Sequence, residues 1–186
     1  RKQMMRIYGA TITEVGDSDF EGAIQLRNEM LKNRVGYWSP RQFENTGNID
    51  CHYLTTASEI SRQLPSDKSW SAFIAGSGTG GTLMGLHKYR MEMEMGYSLV
   101  LVKPAEDAQS HGIQGINDGA DFLVDHSVLD ETIEITTEDA KDCARSLARK
   151  HGLMVGISSG ANVLAARRWI EKNQPDGAVV TILCDR

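Results

Sequence analysis

The sequence is poor in the features that mark several large classes of protein. Only three of its 186 residues are cysteines, at positions 51, 143 and 184. An odd and widely spaced set of cysteines argues against a disulfide framework and favours a reducing, cytoplasmic compartment. Cys51 is followed by His52, but no CxxC, HExxH or Asp-rich loop accompanies this pair. We therefore interpret Cys51 as a structural or incidental cysteine and expect no metal site.

Long apolar runs and basic tracts are also missing. No stretch approaches the roughly 18 uninterrupted apolar residues of a membrane-spanning helix. The opening residues, Arg1 to Met5, lack the apolar region of a signal peptide. Lys and Arg number 20 against 25 Asp and Glu, a net charge of −5, so nucleic acid is not an expected partner. At 40% hydrophobic and 24% charged residues, the composition is that of an ordinary globular protein.

From about residue 70 onward, short apolar runs alternate with helical patterns. Such alternation predicts an α/β fold, a parallel twisted sheet with helices on both faces. The helix that follows Ile135 is the best defined, because Thr136 can cap it, Glu138 and Asp139 suit its positive start, and Gly152 can end it. Strands are predicted at residues 70–75, 97–102, 120–124, 133–135, 153–157 and 178–184, and helices at 80–94, 136–151 and 161–171.

The first forty-odd residues form a separate unit. Residues 12–15 are predicted to form a strand and residues 20–32 an amphipathic helix. These elements are too few to close a core alone. We therefore expect residues 1–43 to be the remnant of a smaller α/β domain and residues 44–186 to be most of a larger one. The chain is expected to begin inside a helix and to be a fragment.

A glycine-rich loop is the most informative segment. It is Gly76-Ser77-Gly78-Thr79-Gly80-Gly81-Thr82, which follows a predicted strand and opens a predicted helix. Consecutive backbone N–H groups and the positive end of the helix then face one spot, which favours an anion such as phosphate. Thr79 and Thr82 can add hydroxyl donors, and glycine removes the Cβ atoms that would block close approach.

Two other interpretations of this loop stay open. Gly76, Gly78 and Gly81 also satisfy G-x-G-x-x-G, the dinucleotide fingerprint. That fingerprint requires an acid near the end of the next strand, where this chain has Lys103 and Pro104; a lysine favours a 2′-phosphate instead. A glycine turn without a ligand is the other alternative. A Walker loop is excluded, because no Gly-Lys-Ser/Thr follows.

A second turn of interest is Gly156-Ile157-Ser158-Ser159-Gly160-Ala161. As a predicted strand-to-helix turn, it presents a serine hydroxyl at the carboxyl edge of the sheet, where ligands of open α/β sheets bind. The segment also matches G-x-S-x-G literally. A hydrolase of that kind has its histidine downstream of the serine, and no histidine follows Ser158 in this chain.

Four motifs together resemble the family of cysteine synthases and cystathionine β-synthases. The loop at 76–82 is similar to the family's GTGTGGT phosphate loop, with Ser77 in place of a threonine. Gln42-Phe43-Glu44-Asn45, then His52 and Thr55-Thr56-Ala57-Ser58-Glu59-Ile60, resemble its "QF-N … H … TT-EI" segment. His111-Gly112-Ile113-Gln114-Gly115-Ile116 resembles its HKIQGIG loop, and residues 156–161 its GISSGA turn. The motifs keep the family's order and spacing over essentially the whole chain.

The resemblance implies a pyridoxal-phosphate (PLP) enzyme of fold type II, of which this chain would hold most of the large domain. It places the cofactor phosphate on the loop residues Gly78, Thr79, Gly80, Gly81 and Thr82. It also makes Ser158 the hydrogen-bonding partner of the pyridine nitrogen. A neutral hydroxyl moderates the electron sink, which suits β-elimination.

Further roles follow from the same resemblance. Gln42 corresponds to a position that holds the substrate carboxylate, and Gly115 to a loop that borders the active site. The family's Schiff-base lysine and its S/T-S-G-N-T loop lie upstream of the segment that matches Arg1-Lys2-Gln3, and no lysine of this chain stands in that motif. The catalytic lysine is therefore unknown here. Asn117 replaces a family glycine and Lys103 a family glutamate, which leaves the substrate open.

The expected activity of the parent enzyme is β-replacement on an activated L-serine. Cysteine synthesis from O-acetylserine or O-phosphoserine and sulfide is the first expectation. Cystathionine formation and replacement by an amine, as in diaminopropionate synthesis, are alternatives, and so is a non-catalytic remnant that binds phosphate or another protein. The complete enzyme is expected to be a homodimer that binds an amino-acid substrate, while the fragment alone is expected to be inactive.

Overall fold

The computed structural model describes residues 2–16, 19–107, 110–113, 115–116 and 122–185. These residues form two compact units, Arg1–Pro40 and Arg41–Arg186. The division predicted at residues 43/44 concerns the domains of the complete protein and stays a prediction.

The first unit contains two helices, α1 at Lys2–Ile7 and α2 at Phe20–Asn33. Asp19 caps α2, because its side chain accepts a hydrogen bond from the backbone N–H of Gly22 at 2.8 Å. Neither helix has a buried residue, which agrees with the expectation that this unit cannot close a core alone. The strand predicted at residues 12–15 is wrong: the segment is irregular. Within the described part of this unit no second strand completes a hydrogen-bonded ladder.

The second unit begins with a helical segment in three parts. Helix α3 at Gly47–His52 runs into a π-helix at Tyr53–Ala57 and then into α4 at Ser58–Gln63. The elements that follow are β1 at Trp70–Gly76, α5 at Gly81–Glu92, β2 at Ser98–Pro104, a 3₁₀ turn at His126–Val128, β3 at Glu131–Ile135, α6 at Thr137–His151, α7 at Ile157–Asn173 and β4 at Ala178–Thr181. The four strands form one parallel sheet, in the order β3-β2-β1-β4.

Helices cover both faces of this sheet. Alternate residues of β1 point to opposite sides, as the period of a strand requires. Ala72 and Ile74 belong to a core with residues of α6 and α7, and Phe73 and Ala75 to a second core with residues of α5. The predicted α/β sheet with helices on both faces is therefore confirmed.

The ends of α6 match the sequence prediction. Thr136 caps its start, since its hydroxyl accepts a hydrogen bond from the N–H of Asp139 at 3.1 Å. Gly152 ends it in the left-handed conformation, with φ of 68°. The N–H of Gly152 donates to the carbonyl of Ala148, four residues earlier, which is the αL type of helix ending, and the N–H of Leu153 donates to the carbonyl of Leu147.

Two predicted strands of this unit are wrong. Residues 153–156 are irregular and Ile157 already begins α7. The N–H of Leu153 is used in ending α6, and the N–H of Gly156 donates to Asp185 at 3.1 Å, so neither serves a ladder. Of the strand predicted at 120–124, residues 120 and 121 lie outside the described residues. Residues 122 and 123 form a turn and residue 124 is irregular, and the N–H of Leu123 donates to the carbonyl of Thr79 in the glycine loop.

Strand β4 is shorter than the predicted 178–184. It ends at Thr181, because the next backbone groups bond to side chains of α7. The carbonyl of Ile182 accepts from Asn162 at 2.9 Å, and the N–H of Cys184 donates to Ser159 at 2.9 Å.

Among the helices of the described ranges, none is both long and apolar enough to cross a membrane.

Candidate functional site at the carboxyl edge of the sheet

The strand order creates a crevice at the carboxyl end of β1. The chain passes from β1 through α5 to β2 on one side, whereas β4 lies on the other side of β1. In open α/β sheets, ligands bind at such a switch point, outside the carboxyl ends of the strands. The glycine loop leaves β1 at this crevice and leads into α5 at Gly81.

The loop has the geometry of an anion site. Gly80 stands at the N-cap of α5 in the left-handed conformation, with φ of 92°, and supplies no side-chain cap. The first N–H groups of a helix have no intrahelical acceptor and lie at the positive end of its dipole. An anion at this position would satisfy them.

Close packing explains why glycine is needed at Gly78. A Cβ atom there would stand 2.8 Å from the backbone carbonyl oxygen of Gly115, too close for any side chain. Gly115 itself has φ of 83°, which favours glycine. The structure thus brings together two residues that the sequence analysis singled out separately.

The hydroxyl of Ser77 is a feature of the loop that a bound phosphate group would explain. Ser77 is 8% exposed, and its Oγ is buried without a hydrogen-bond partner among the described residues. A buried polar atom that lacks a partner is costly. A phosphate bound to the neighbouring N–H groups offers an acceptor for this hydroxyl. The donor set of the loop, consisting of backbone amides and hydroxyls, suits that anion.

The threonines of the loop are held from α3. Asn48 donates from Nδ2 to Thr79 Oγ1 at 2.9 Å, and the N–H of Gly81 also bonds to this oxygen at 3.3 Å. His52 Nε2 lies 3.3 Å from Thr82 Oγ1. Asn48 was missed by the sequence analysis. The available signal was its position four residues before His52, one helical turn away on the same face.

Gln42 is connected to the loop through the same asparagine. Its backbone carbonyl accepts a hydrogen bond from Asn48 Nδ2 at 3.0 Å. Asn48 therefore joins the segment of Gln42 to Thr79. The proposed contact of Gln42 with a substrate carboxylate stays a prediction.

Asn162 was also missed, and it spans the crevice. Its Oδ1 accepts from the N–H of Gly76 at 2.8 Å, at the end of β1, and its Nδ2 donates to the carbonyl of Ile182, beyond β4. Asn162 is fully buried. One side chain thus ties together the two strand ends that form the switch point.

Ser158 lies in the first turn of α7, one turn before Asn162. It is 7% exposed. Burial raises the pKa of the neighbouring Cys184 thiol, and the hydroxyl of Ser158 opposes that rise. The segment before α7 is irregular rather than a strand, so the turn predicted at residues 156–161 is a loop-to-helix junction.

The described part of the chain contains no group of His, Cys, Asp and Glu side chains suited to a metal ion. The site contains loop amides, hydroxyls and two asparagines, a set of groups that suits an anion.

Comparison with known proteins shows which family and which relatives this chain is similar to. Residues 1–185 match the model of a family described as "Pyridoxal-phosphate dependent enzyme". The chain is 39% identical over 196 residues to cysteine synthase B of Campylobacter jejuni, covering 100% of this chain and 64% of the relative.

Solved structures show the same similarity. A hydrogen sulfide-producing enzyme from Fusobacterium nucleatum matches with a TM-score of 0.90 and 34% identity, over 99% of this chain and 58% of that one. An O-acetylserine dependent cystathionine beta-synthase from Helicobacter pylori matches with a TM-score of 0.89 and 31% identity, over 99% of this chain and 62% of that one. The chain spans less than two thirds of the length of these relatives.

Proposed function

Because the chain belongs to the family of pyridoxal-phosphate dependent enzymes, we propose that it is the major part of an enzyme that catalyses β-replacement on an activated L-serine. The cofactor of the family is PLP, as the four motifs predicted. The first choice of reaction is the synthesis of cysteine from O-acetylserine or O-phosphoserine and sulfide. The observation that carries the proposal is the glycine loop at the switch point, together with the buried hydroxyl of Ser77, which has no hydrogen-bond partner among the residues that the structure describes.

The residues of this chain have separable roles in the proposal. Residues 78–82 bind the phosphate through backbone N–H groups and threonine hydroxyls. Ser158 places a neutral hydroxyl at the pyridine nitrogen, Gln42 binds the substrate carboxylate, and Gly115 borders the bound substrate. When bound, PLP supplies an electron sink for negative charge at the substrate α-carbon.

The proposed reaction is tested with the complete protein. We expect cysteine to form from O-acetylserine or O-phosphoserine when sulfide is the nucleophile, measured by amino-acid analysis. Homocysteine and an amine donor are run in parallel, because the similarity to the Helicobacter pylori enzyme favours cystathionine formation as the second candidate. If neither activated serine is consumed with any of these nucleophiles, the proposal is contradicted and a non-catalytic protein is favoured.

Ser158 provides a test of the cofactor contact. In the complete enzyme, Ser158→Ala is expected to lower turnover about 10- to 100-fold, the effect of one hydrogen bond to a group whose charge changes during reaction. PLP should stay covalently bound, as shown by its absorbance after gel filtration. Ser158→Thr keeps the hydroxyl and serves as the matched control. Unchanged turnover in Ser158→Ala would remove Ser158 from the cofactor site.

Assembly and location follow the family resemblance. We propose that the complete enzyme is a homodimer that works in the cytoplasm. All three cysteines are unpaired in this structure, which supports a reducing compartment.

A further inference from the structure

Helices α3 and α5 pack closely because two glycines of α5 lie against two polar residues of α3. A Cβ atom on Gly81 would overlap the side chain of Asn48, and one on Gly85 would stand 2.6 Å from the Cβ of His52. Gly81 and Gly85 are four residues apart on α5, as Asn48 and His52 are on α3. This close approach brings two polar side chains of α3 to the glycine loop.

The hydroxyl of Thr79 has its proton available for a further partner. Its oxygen is approached by two donors, the Nδ2 of Asn48 at 2.9 Å and the N–H of Gly81 at 3.3 Å. A hydroxyl oxygen has two lone pairs and one proton. With both lone pairs engaged, only the proton remains, and it is a donor. An anion in the loop is the partner that such a donor requires.

Whether the hydroxyl of Thr82 can donate to an anion depends on which ring nitrogen of His52 carries the proton. Burial lowers the pKa of His52 below its usual value, so the ring is neutral at neutral pH and has one N–H. With the proton on Nε2, His52 donates to Thr82 and leaves the Thr82 proton for an anion. With the proton on Nδ1, Nε2 would take the Thr82 proton instead.

Thr56 lies beside the other ring nitrogen and can bond to either tautomer, as acceptor when Nδ1 carries the proton and as donor when Nε2 carries it. Its Oγ1 lies 2.8 Å from His52 Nδ1. Donation from this hydroxyl to Nδ1 leaves the ring proton on Nε2. Thr56 belongs to the π-helix at Tyr53–Ala57, a type of insertion that is frequent at functional sites.

We propose that Asn48 and His52 are positioning residues for the cofactor phosphate, an inference that rests on the phosphate role of the glycine loop proposed above. They direct the hydroxyl protons of Thr79 and Thr82 toward the phosphate. Thr56 acts one step further away: its hydroxyl donates to Nδ1 of His52, which keeps the ring proton on Nε2. None of these three residues needs to contact the cofactor.

The test compares two ligands that differ only in the phosphate. Pyridoxine 5′-phosphate and pyridoxine have no aldehyde, so neither forms an adduct with a lysine. Their dissociation constants for this chain are measured by isothermal titration calorimetry. The unaltered chain should bind the phosphorylated ligand at least about tenfold more tightly, and Gly78→Ala should abolish the preference because of its clash with Gly115.

The variants at His52 and Thr56 address the inference itself. His52→Leu and Thr56→Val should each lower the affinity for pyridoxine 5′-phosphate about tenfold and leave the affinity for pyridoxine unchanged. His52→Gln and Thr56→Ser retain a donor and should restore most of the affinity. A purely structural role would instead lower both affinities, and thermal melting of each variant checks its fold. Gly96→Ala is the neutral control, since a Cβ atom at Gly96 meets nothing within 4 Å.

Double-mutant cycles show whether each residue acts through its threonine. In a Thr82→Val background, His52→Leu should cost nothing further, and in a Thr79→Val background the same holds for Asn48→Ala. ¹⁵N NMR of the histidine ring should show the proton on Nε2.

The possible failures are distinguishable. Equal affinity of the unaltered chain for both ligands, or no effect of Gly78→Ala, would contradict the phosphate role of the loop and with it the proposed function. A preserved preference in His52→Leu and Thr56→Val, or additive effects in both cycles, would overturn the positioning role alone.

Discussion

The 186-residue chain, purified alone and incubated with PLP, is expected to show no stoichiometric lysine adduct after borohydride reduction and no cysteine formation above background. The amine that holds PLP also acts as acid and base at the substrate α-carbon. Loss of acid–base catalysis alone costs roughly 10²–10⁴-fold in rate. The sequence motif that should supply this amine is not present in the chain.

The environment of Lys88 illustrates why another lysine of the chain is a poor substitute. Lys88 lies on α5, the helix that begins at the glycine loop. A hydrogen bond to Asp50 at 2.9 Å raises its pKa above the usual value, with burial opposing the shift. A raised pKa keeps the amine protonated, whereas a nucleophilic lysine needs a lowered pKa. Lys141 and Lys172 are likewise engaged in ion pairs, with Glu138 and Glu131.

The control for this experiment is the protein extended upstream to include an S-x-K-D/N-R motif, with and without replacement of its lysine by alanine. The extended protein should form the adduct and turn over, and its alanine variant should not. A stoichiometric adduct at a single lysine of the present chain, together with turnover, would show that the catalytic amine lies within it.

Asn162→Ala is expected to lower the free energy of unfolding by about 2–5 kcal/mol. The substitution leaves the N–H of Gly76 and the carbonyl of Ile182, both partly buried, without their partner. A polar group left unsatisfied away from water costs about 1–3 kcal/mol. For a protein of this size the melting temperature should fall by about 5–15 °C. Urea denaturation and thermal melting followed by circular dichroism measure both effects.

Two further variants separate the hydrogen bonds from other effects of the substitution. Asn162→Asp keeps the size and the acceptor but replaces the donor to Ile182, so it should also be destabilising. Asn173, near the end of the same helix, donates to the carbonyl of Trp169 at 3.0 Å, and Asn173→Ala should cost less than about 1 kcal/mol. Equal stabilities of Asn162→Ala and Asn173→Ala would show that the crevice is held together by packing alone.

Several elements were predicted well because local signals determine them. Helix α6 has a threonine cap, acidic residues in its first turn and a left-handed glycine at its end, and each acts within a few residues. The predicted strands 153–157 and 12–15 failed for the opposite reason. A short apolar run is compatible with a strand, a buried helix start or an irregular segment, and only the presence of a neighbouring strand decides between them.

The candidate site likewise has a part that the sequence predicted and a part that it did not. The phosphate loop was predictable, since glycines at a strand-to-helix turn have a local physical meaning. Its supports were not predictable from their own neighbourhoods. The bond between Asn48 and Thr79 joins residues 31 positions apart, and the bond between Asn162 and Gly76 joins residues 86 positions apart.

The amino-acid sequence by itself determined the α/β class, the position of the anion loop and the resemblance to PLP enzymes, because periodicity, capping and glycine spacing act over short stretches of chain. Only the tertiary structure decided that Gly115 lies against Gly78, that Asn162 ties β1 to the residues after β4, and that α3 supports the loop threonines. These contacts depend on strand order and helix packing, and any asparagine or glycine has the same local preferences whether or not such a partner lies beside it.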